Sequence, residues 1–327
     1  MRVLVVGGAG YIGSHMVRLL DRAGHEVVVL DNLSTGFEKA VTAGELVVGD
    51  MVDQGLVESV LKKHQIEAVM HFAAFALVGE SVENPAKYYQ NNVVGTLALL
   101  ESMRRCGVGK IVFSSTCATY GVPEVLPIRE TSKQAPVNPY GFTKLVCERA
   151  LEDYAHAYDF GFAALRYFNA AGASPAGDIG EDHDPETHLI PIILQVALKQ
   201  RESITIFGDD WDTHDGTCVR DYVHVDDLGA AHLAALEQLE PGKGLKINLG
   251  SGHGYSVREV IDCCRQVTGV DIDFEIGPRR AGDPPELVAE PVLAKELLGW
   301  TPRYDQIQTI VETAWRWHQQ HPSGYGS

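Results

Sequence analysis

Short apolar runs rich in β-branched residues alternate along this chain with longer segments in which apolar residues recur at helical spacing. The apolar runs cover 2–6, 26–30, 45–48, 68–72, 110–114, 161–166 and 245–249. The helical segments, without internal proline, include 11–23, 53–64, 85–106 and 139–158. Such runs are typical of parallel strands buried on both faces and joined by right-handed helical crossovers. The sequence therefore predicts an α/β fold with a doubly wound, Rossmann-type parallel sheet.

The alternation stops near Asn169. A stretch rich in Gly, Ala, Pro and acidic residues follows at 170–186, and a helical pattern begins near Leu189. The segment 218–250 is expected to return to the main sheet. We therefore expect a main domain at 1–169 completed by 218–250, and a smaller mixed α/β C-terminal lobe at 170–217 and 251–327 that binds substrate.

Charge and composition exclude several classes of protein. Lys and Arg total 27 and Asp and Glu total 44, which gives a net charge of −17 without any basic tract. Binding to nucleic acid or to an anionic membrane surface is therefore disfavoured. No apolar stretch reaches the ~18 residues of a membrane span, and the N-terminus lacks the pattern of a signal peptide. The six cysteines have no CxxC pairing, so we expect reduced thiols in a cytoplasmic protein.

A glycine-rich turn follows the first predicted strand. Gly7, Gly10 and Gly13 are spaced three residues apart, and Tyr11 and Ile12 open the next helix. A strand–turn–helix junction of this kind lets the backbone approach a pyrophosphate, which the free N–H groups and dipole of the helix N-terminus then attract. The turn predicts a dinucleotide site.

Acidic residues end the second and third predicted strands. Asp31 lies 18 residues beyond Gly13, close to the ~20 expected for the acid that accepts the ribose hydroxyls. No Arg or Lys occurs at 32–38 to neutralise a 2′-phosphate, so NAD is favoured over NADP. Asp50 ends the third strand, where an adenine amino group could bind, although a plain loop residue is also consistent with this position.

Tyr140 and Lys144 lie at positions i and i+4 near the start of a predicted helix, and therefore on one face. Lys144 and a positively charged nicotinamide would both favour phenolate, so we expect the pKa of Tyr140 to lie below its reference value of ~10. Such a tyrosine can act as a general base. Thr116, at the carboxyl end of the fifth strand, is placed to hydrogen-bond a substrate hydroxyl beside it.

With these motifs the chain resembles the extended short-chain dehydrogenase/reductases, and among them the nucleotide-sugar 4-epimerases. The resemblance extends over nearly the whole chain and rests on segments 7–15, 31–33, 71–74, 79–81, 91–92, 114–121, 140–144, 166–169, 215–225 and 278–283. It implies interconversion of UDP-galactose and UDP-glucose by transient oxidation at the sugar C4, with NAD staying bound. Tyr140 would take the proton of the 4-hydroxyl, Lys144 would hold the nicotinamide ribose, and Thr116 would orient the 4-hydroxyl.

The same resemblance implies two sets of binding residues. Besides Thr116, Tyr140 and Lys144, the cofactor would contact Gly7, Gly10, Tyr11, Ile12, Gly13, Asp31, Asn32, Leu33, Ser34, Thr35, Gly36, Asp50, Met51, Phe72, Ala73, Ala74, Phe75, Ala76, Asn91 and Phe168. The UDP-sugar would contact Asn169, His188, Leu189, Thr205, Ile206, Phe207, Arg220, Arg280, Asp283 and Leu287. Arg220 and Arg280 suit a pyrophosphate because guanidinium groups match phosphate oxygens.

Two positions depart from the family pattern. Ala76 replaces a polar residue found in many relatives, so one side-chain hydrogen bond to the cofactor is expected to be missing. Leu287 replaces a bulky tyrosine, which leaves acceptance of N-acetylated UDP-sugars open. UDP-glucuronate and UDP-pentoses stay open as well, because the reaction is the same and only the lining of the pocket differs.

The sequence gives less support to other functions. A dehydratase or decarboxylase would need acid–base groups after Thr116, where Cys117 and Ala118 stand. A non-catalytic NAD sensor has no need of a Tyr–Lys–Thr set. A zinc enzyme is suggested by 182–184 and His188, but that stretch is typical of a loop, and we expect no metal. The helical segments 85–106 and 139–158 are apolar enough to form a homodimer, as in relatives, or simply to fill a core.

Overall fold

The computed structural model describes residues 1–280 and 282–326. Ala281, inside the predicted UDP-binding segment 280–283, and Ser327, the last residue of the predicted lobe, lie outside the described residues.

A parallel sheet of seven strands forms the centre of the fold. Its strands are β1 (Arg2–Val6), β2 (Glu26–Asp31), β3 (Glu45–Val48), β4 (Ala68–His71), β5 (Lys110–Thr116), β6 (Gly161–Tyr167) and β10 (Gly244–Leu249). Their order in the sheet is β10-β6-β5-β4-β1-β2-β3. The predicted doubly wound sheet is confirmed. The carboxyl ends of β1 and β4 lie side by side at the point where the strand order reverses, and ligands bind there in such folds.

Helices cover both faces of this sheet. They are α1 (Tyr11–Arg22), α2 (Gln54–Lys63), α3 (Val78–Glu83), α4 (Pro85–Tyr88), α5 (Gly95–Cys106), α6 (Pro139–Tyr158), α7 (Leu189–Ala197), α8 (Val225–Glu237), α9 (Val257–Thr268), α10 (Val292–Leu298) and α11 (Ile307–Gln320). Alternate side chains of β1 point to opposite faces of the sheet, and each face packs against its own layer of helices. Val3 and Val5 pack with α1 and α8, whereas Leu4 and Val6 pack with α2 and α5. Strands buried on both faces must be apolar throughout, as their sequences are.

The predicted helix at 85–106 is not uniform. A π-helical segment, Tyr89–Val94, separates α4 from α5. Inside it, the side-chain amide of Asn92 pairs with the backbone of Phe75, with both hydrogen bonds 3.0 Å long. π segments interrupt α-helices mostly at functional sites, and this one is held against the segment that follows β4.

The remaining strands form two small sheets. β9 (Val219–His224) pairs with β7 (Asn169–Ala171), β11 (Gly254–Ser256) and β13 (Glu286–Leu287), and β8 (Ile204–Phe207) pairs with β12 (Phe274–Gly277). The prediction that 218–250 returns to the main sheet is therefore wrong for β9, although β10 does join it. β9 has partners of its own, supplied by segments distant in sequence, and these partners decide where it pairs.

A separate core lies beneath the small sheets, where α7, α9 and α11 pack together. All six cysteines are free thiols. Within residues 1–280 and 282–326, the helices are too short or too polar to cross a membrane.

Candidate active site

A cleft of 380 Å³ opens between the carboxyl ends of the main-sheet strands and the small sheet of β9. Most of the predicted site residues line it. From the cofactor set these are Gly7, Gly10, Tyr11, Ile12, Gly13, Asp31, Asn32, Ser34, Thr35, Asp50, Met51, Phe72, Ala73, Ala74, Phe75, Ala76, Asn91, Thr116, Tyr140, Lys144 and Phe168. From the substrate set they are Asn169, His188, Arg220, Asp283 and Leu287. One cavity thus brings together residues from both ends of the chain.

Seven predicted residues do not line the cleft: Leu33, Gly36, Leu189, Thr205, Ile206, Phe207 and Arg280. Gly36 lies behind the glycine turn, because a Cβ there would be 2.8 Å from the carbonyl carbon of Ala9. Arg280 lies over the ring of Phe207 at 4.4 Å, and it is largely exposed beside Asp283.

Among residues 1–280 and 282–326, fifteen lining residues were absent from the predicted set: Val6, Leu30, Gly49, Val78, Ser114, Cys117, Ala118, Gly121, Val137, Asn138, Tyr167, Ala170, His183, Gly282 and Pro284. Many are immediate neighbours of predicted residues at strand ends, and that position is the signal that could have found them. Tyr167 matters most, since it ends β6 next to Thr116 on β5.

The glycine turn is shaped by close backbone contacts. Gly7 has φ +82°, and a Cβ there would lie 2.4 Å from the nitrogen of Ala73. A Cβ on Gly13 would lie 2.1 Å from the carbonyl oxygen of Gly7. Gly10 differs, because its Cβ would meet only that same oxygen, at 3.5 Å, and would otherwise project into the cleft. Gly10 is also the N-cap of α1 and offers no capping side chain, so the first-turn N–H groups remain for a ligand.

Asp31 lies at the carboxyl end of β2 and is buried. One carboxylate oxygen accepts from Ala9 N at 2.9 Å and the other from Leu33 N at 2.8 Å. Because a carboxylate oxygen has two lone pairs, these bonds fix the carboxylate and leave acceptor capacity for a pair of hydroxyls.

Tyr140, Lys144 and Thr116 meet where α6 packs against β5. Asn138 caps α6, its side chain accepting from Gly141 N at 2.8 Å, and Pro139 follows at the first helical position. This start places Tyr140 and Lys144 on the buried face. The ammonium of Lys144 donates to the carbonyl oxygen of Ser114 at 2.7 Å.

Burial dominates the titration of this pair. It raises the pKa of Tyr140 well above its ordinary value, and the nearby Tyr167 adds to the effect, whereas a hydrogen bond with Thr116 opposes it. Burial also lowers the pKa of Lys144 to about 8. For the groups of the protein alone, the phenol therefore loses more from dehydration than its neighbours return. The lowering expected beside a positively charged nicotinamide stays a prediction.

A buried polar network supports the floor of the site. The side chains of Arg166 and Glu148 are 2% and 1% exposed and form an ion pair at 2.7 Å. Glu148 also accepts from the hydroxyl of Ser115 at 2.5 Å, and Arg166 donates to the hydroxyl of Tyr120 at 2.8 Å. The network joins α6, β5 and β6, the elements that carry Tyr140, Thr116 and Tyr167.

A second set of titratable side chains lies at the other end of the cleft. It consists of Glu181, His183, Glu186 and His188, hereafter the Glu181 cluster, just before α7. The Nδ1 atom of His188 is 2.6 Å from Oε1 of Glu181, and that of His183 is 3.3 Å from the same oxygen. The two carboxylates raise the pKa of His183 to about 9 and that of His188 to about 10, against the opposing effect of burial.

Together the parallel sheet, the glycine turn, the ribose-binding acid and the buried Tyr–Lys pair define a dinucleotide-dependent oxidoreductase-type site on a Rossmann scaffold. Comparison with known proteins agrees with this class. The NAD dependent epimerase/dehydratase family matches residues 3–250. The chain belongs to this family.

Individual relatives match over the full length. The UDP-glucose 4-epimerase of Halalkalibacterium halodurans is 53% identical over 328 residues, which cover 100% of this chain and 98% of the relative. A crystal structure of a UDP-glucose 4-epimerase has a TM-score of 0.96 at 52% identity and covers 100% of both chains. The UDP-glucose 4-epimerase of Brucella ovis, in complex with NAD, has a TM-score of 0.93 at 51% identity, over 96% of this chain and 97% of the other.

Proposed function

We propose that this protein is an NAD-dependent isomerase that interconverts UDP-galactose and UDP-glucose by transient oxidation at the sugar C4. The observation that carries the proposal is the convergence of Tyr140, Lys144 and Thr116 in one cleft with the glycine turn and Asp31. Relatives of that activity, similar over the full chain, support it.

The cleft fits NAD on its own geometry. The uncapped first turn of α1 and the open space at Gly10 suit a pyrophosphate. The fixed carboxylate of Asp31 suits two ribose hydroxyls and would repel a 2′-phosphate. Bound NAD supplies the hydride acceptor and donor that the reaction needs at C4.

The side chains of this protein transfer the proton of the sugar 4-hydroxyl. Tyr140 takes it from the sugar 4-hydroxyl and returns it after the 4-keto sugar has turned over in the site. Because burial alone opposes phenolate at Tyr140, the base form depends on the ammonium of Lys144 and on the positive charge of the oxidised nicotinamide. Thr116 orients the 4-hydroxyl beside Tyr140.

For the UDP part, we infer that Arg220 pairs with the pyrophosphate. Arg220 lines the cleft, and one guanidinium nitrogen donates to the carbonyl oxygen of Val219 at 2.8 Å, which leaves further N–H donors free. Segments 170–217 and 251–327 would form the substrate lobe, with 1–169 and 218–250 holding NAD.

A wider range of sugars is the second candidate function. Leu287 lines the cleft and packs near Cys117 and Phe168, so the pocket wall there is aliphatic and shorter than a tyrosine. This favours room for a 2-acetamido group, and UDP-N-acetylglucosamine is the first alternative substrate to test, before UDP-glucuronate and UDP-xylose.

We also infer a cytoplasmic homodimer. Exposed apolar side chains, among them Tyr89, Val94, Leu97 and Phe142, lie on the π segment, α5 and α6. A pair of such helices from each subunit would bury them. Light scattering should give twice the chain mass for the wild type, and Leu97→Glu should shift it toward the mass of one chain.

The test of the activity is incubation of the purified protein with UDP-galactose, without added nicotinamide nucleotide, followed by chromatography of UDP-glucose. We expect product from the wild type and a loss of about 10²-fold or more in Tyr140→Phe. Tyr158→Phe, an exposed position on the same helix, should retain full turnover. Absence of product even with added NAD would remove this substrate, and full turnover by Tyr140→Phe would contradict the catalytic assignment.

A further inference from the structure

His188 is one of the predicted UDP-sugar contacts and lines the cleft with His183, but the function proposed above gives no role to the Glu181 cluster as a whole. Its four residues fall within one short segment before α7, and one ligand-type atom from each lies within 4.8 Å of all the others. They are two imidazole nitrogens and two carboxylate oxygens. The sequence suggested Asp182 and Asp184 as partners of the histidines, whereas in the fold the glutamates turn inward and Asp184 is exposed.

Burial makes this arrangement unusual. The side chains of Glu181 and Glu186 are 4% and 5% exposed. A buried carboxylate is costly unless it is paired, fully hydrogen-bonded or bound to a metal. In Glu186, Oε1 accepts from the backbone N–H groups of Thr187 and His188, at 2.7 and 2.8 Å.

Glu181 is not satisfied in this way. Among the described residues, its Oε1 has no hydrogen-bond partner, and neither does the Nδ1 atom of His183 or of His188. Yet the two nitrogens lie 3.3 and 2.6 Å from that oxygen. At these distances the protonated histidines are ion-paired with Glu181, but the contacts do not have the geometry of well-directed hydrogen bonds. The three atoms thus converge at ion-pair distance without a well-directed hydrogen bond, an arrangement that also suits a shared central cation.

The distances also suit one ion. In a tetrahedral site with bonds of about 2.0–2.2 Å, neighbouring ligand atoms lie roughly 3.3 Å apart. The shortest N···O separations between the histidines and the glutamates are 2.6 and 3.3 Å to Oε1 of Glu181, 3.4 Å to Oε1 of Glu186 and 3.8 Å to Oε2 of Glu186. They scatter around that value, so small side-chain movements would complete the site.

We propose that Glu181, His183, Glu186 and His188 bind one Zn²⁺ ion. Two imidazoles and two carboxylates suit zinc, whereas Mg²⁺ and Ca²⁺ prefer ligand sets made of oxygen alone. Two carboxylates also neutralise a divalent cation, so the complex brings no net charge into a buried site. This proposal replaces the expectation of no metal. Zinc binding can be measured without a UDP-sugar, although His188 is also a predicted UDP-sugar contact.

The ion has a structural role at the edge of the cleft. His188 is the N-cap residue of α7, and His183 lies edge-on against the ring of Tyr11 in α1, with 6.2 Å between ring centroids. A metal held by both histidines therefore fixes α7 against the helix that follows the glycine turn. Its removal should loosen this junction and leave Tyr140 and Lys144 in place.

The experiment uses the full-length protein without a polyhistidine tag. Metal is removed with a chelator, and Zn²⁺ is returned in competition with a chromophoric chelator. We expect one equivalent of Zn²⁺ to bind and to raise the melting temperature. Cobalt in place of zinc should show tetrahedral absorption without a thiolate-to-cobalt charge-transfer band, which separates this site from binding at the cysteines.

Variants locate the ion. His183→Asn and Glu181→Gln should weaken zinc binding by more than the roughly 10–100-fold that loss of an outer-shell partner costs. Asp184→Asn, an exposed acid in the same segment, and His214→Ala, an exposed histidine elsewhere, should bind zinc like the wild type. Circular dichroism checks that each variant is folded.

The proposal is overturned if the folded wild type binds no zinc and its melting temperature does not change on addition of zinc, or if His183→Asn and Glu181→Gln bind zinc as tightly as the wild type. The first result would make the cluster a pair of protonated histidines neutralised by two glutamates.

Discussion

The ammonium of Lys144 donates a hydrogen bond to the carbonyl oxygen of Ser114 at 2.7 Å, and this bond connects the helix of Tyr140 to the strand of Thr116. Within residues 1–280 and 282–326, the ammonium forms no ion pair with a carboxylate, and its acceptor is a backbone carbonyl. The charged form therefore loses more hydration than it regains, and burial lowers the pKa of Lys144 to about 8. The catalytic arrangement thus costs stability in the protein without cofactor.

This cost predicts a pH effect on stability. Between the folded pKa of about 8 and the ordinary value of 10.5, the unfolded chain keeps the Lys144 proton and the folded chain loses it. Unfolding free energy should therefore rise with pH in this window, by up to about 3 kcal/mol. Urea denaturation of cofactor-free wild type and Lys144→Met near pH 8 and pH 10 measures it. The rise should be absent from Lys144→Met and present in Lys295→Met, an exposed control. Equal pH dependence in all three proteins would contradict the prediction.

The glycines of the turn should separate folding from cofactor binding. Gly13→Ala places a methyl 2.1 Å from a backbone oxygen and should cost about 1–3 kcal/mol of stability. Gly10→Ala should fold normally yet bind NAD weakly, because its methyl enters the cleft. Gly79→Ala, where a Cβ meets nothing within 4 Å, is the control. Thermal unfolding measures the effect of each variant on stability, and fluorescence titration with NADH measures its effect on cofactor binding. Equal NADH affinity in Gly10→Ala and the wild type would contradict the prediction.

Asp31 should set the choice of cofactor. Asp31→Asn keeps one side-chain acceptor but loses the negative charge, so affinity for NADH should fall about 10-fold, in line with a lost charged hydrogen bond. Affinity for NADPH should fall less, because the repulsion of its 2′-phosphate is also removed. Titration of the stripped protein with both nucleotides gives the ratio. Asp21→Asn, on the exposed face of α1, should leave it unchanged.

The Glu148–Arg166 pair should be sensitive to single substitutions. Glu148→Gln leaves Arg166 buried without its counter-charge and should cost about 3–5 kcal/mol. Replacing both residues, as Glu148→Leu with Arg166→Met, should recover part of the loss. Arg149→Ala, which breaks an exposed pair with Glu152, should change stability by less than about 1 kcal/mol. Urea denaturation compares the four proteins, and a double variant less stable than Glu148→Gln would contradict this account.

Leu287 should govern the size of the sugar. Leu287→Tyr places a ring where the cleft wall is now aliphatic, so kcat/KM for UDP-N-acetylglucosamine should fall at least about 10-fold more than that for UDP-galactose. Leu297→Tyr, an exposed site on α10, should leave the ratio of the two constants unchanged. The same fall for both sugars would show that Leu287 does not discriminate.

The sequence determined the features that depend on local pattern. Fully buried strands need uninterrupted apolar runs, so the seven strands of the main sheet could be located within a residue or two at most ends. Three further features are likewise local: the glycine spacing, the acid at the end of β2, and the i, i+4 relation of Tyr140 and Lys144. From them the sequence predicted the cofactor and the catalytic pair.

Tertiary structure decided whatever depends on partners distant in the chain. β9 pairs with β7, β11 and β13 because those segments meet it in space, and no periodicity within 219–224 reports that. Burial raises the pKa of Tyr140, and Tyr167 on β6 adds to this effect, whereas the adjacent lysine taken alone favours a lower value. The four side chains of the Glu181 cluster converge through a loop conformation that spacing does not specify. The tendency of a segment to form a helix, strand or turn depends on residues that are neighbours in the sequence. The burial of a side chain and its charge interactions depend on residues that only folding brings together.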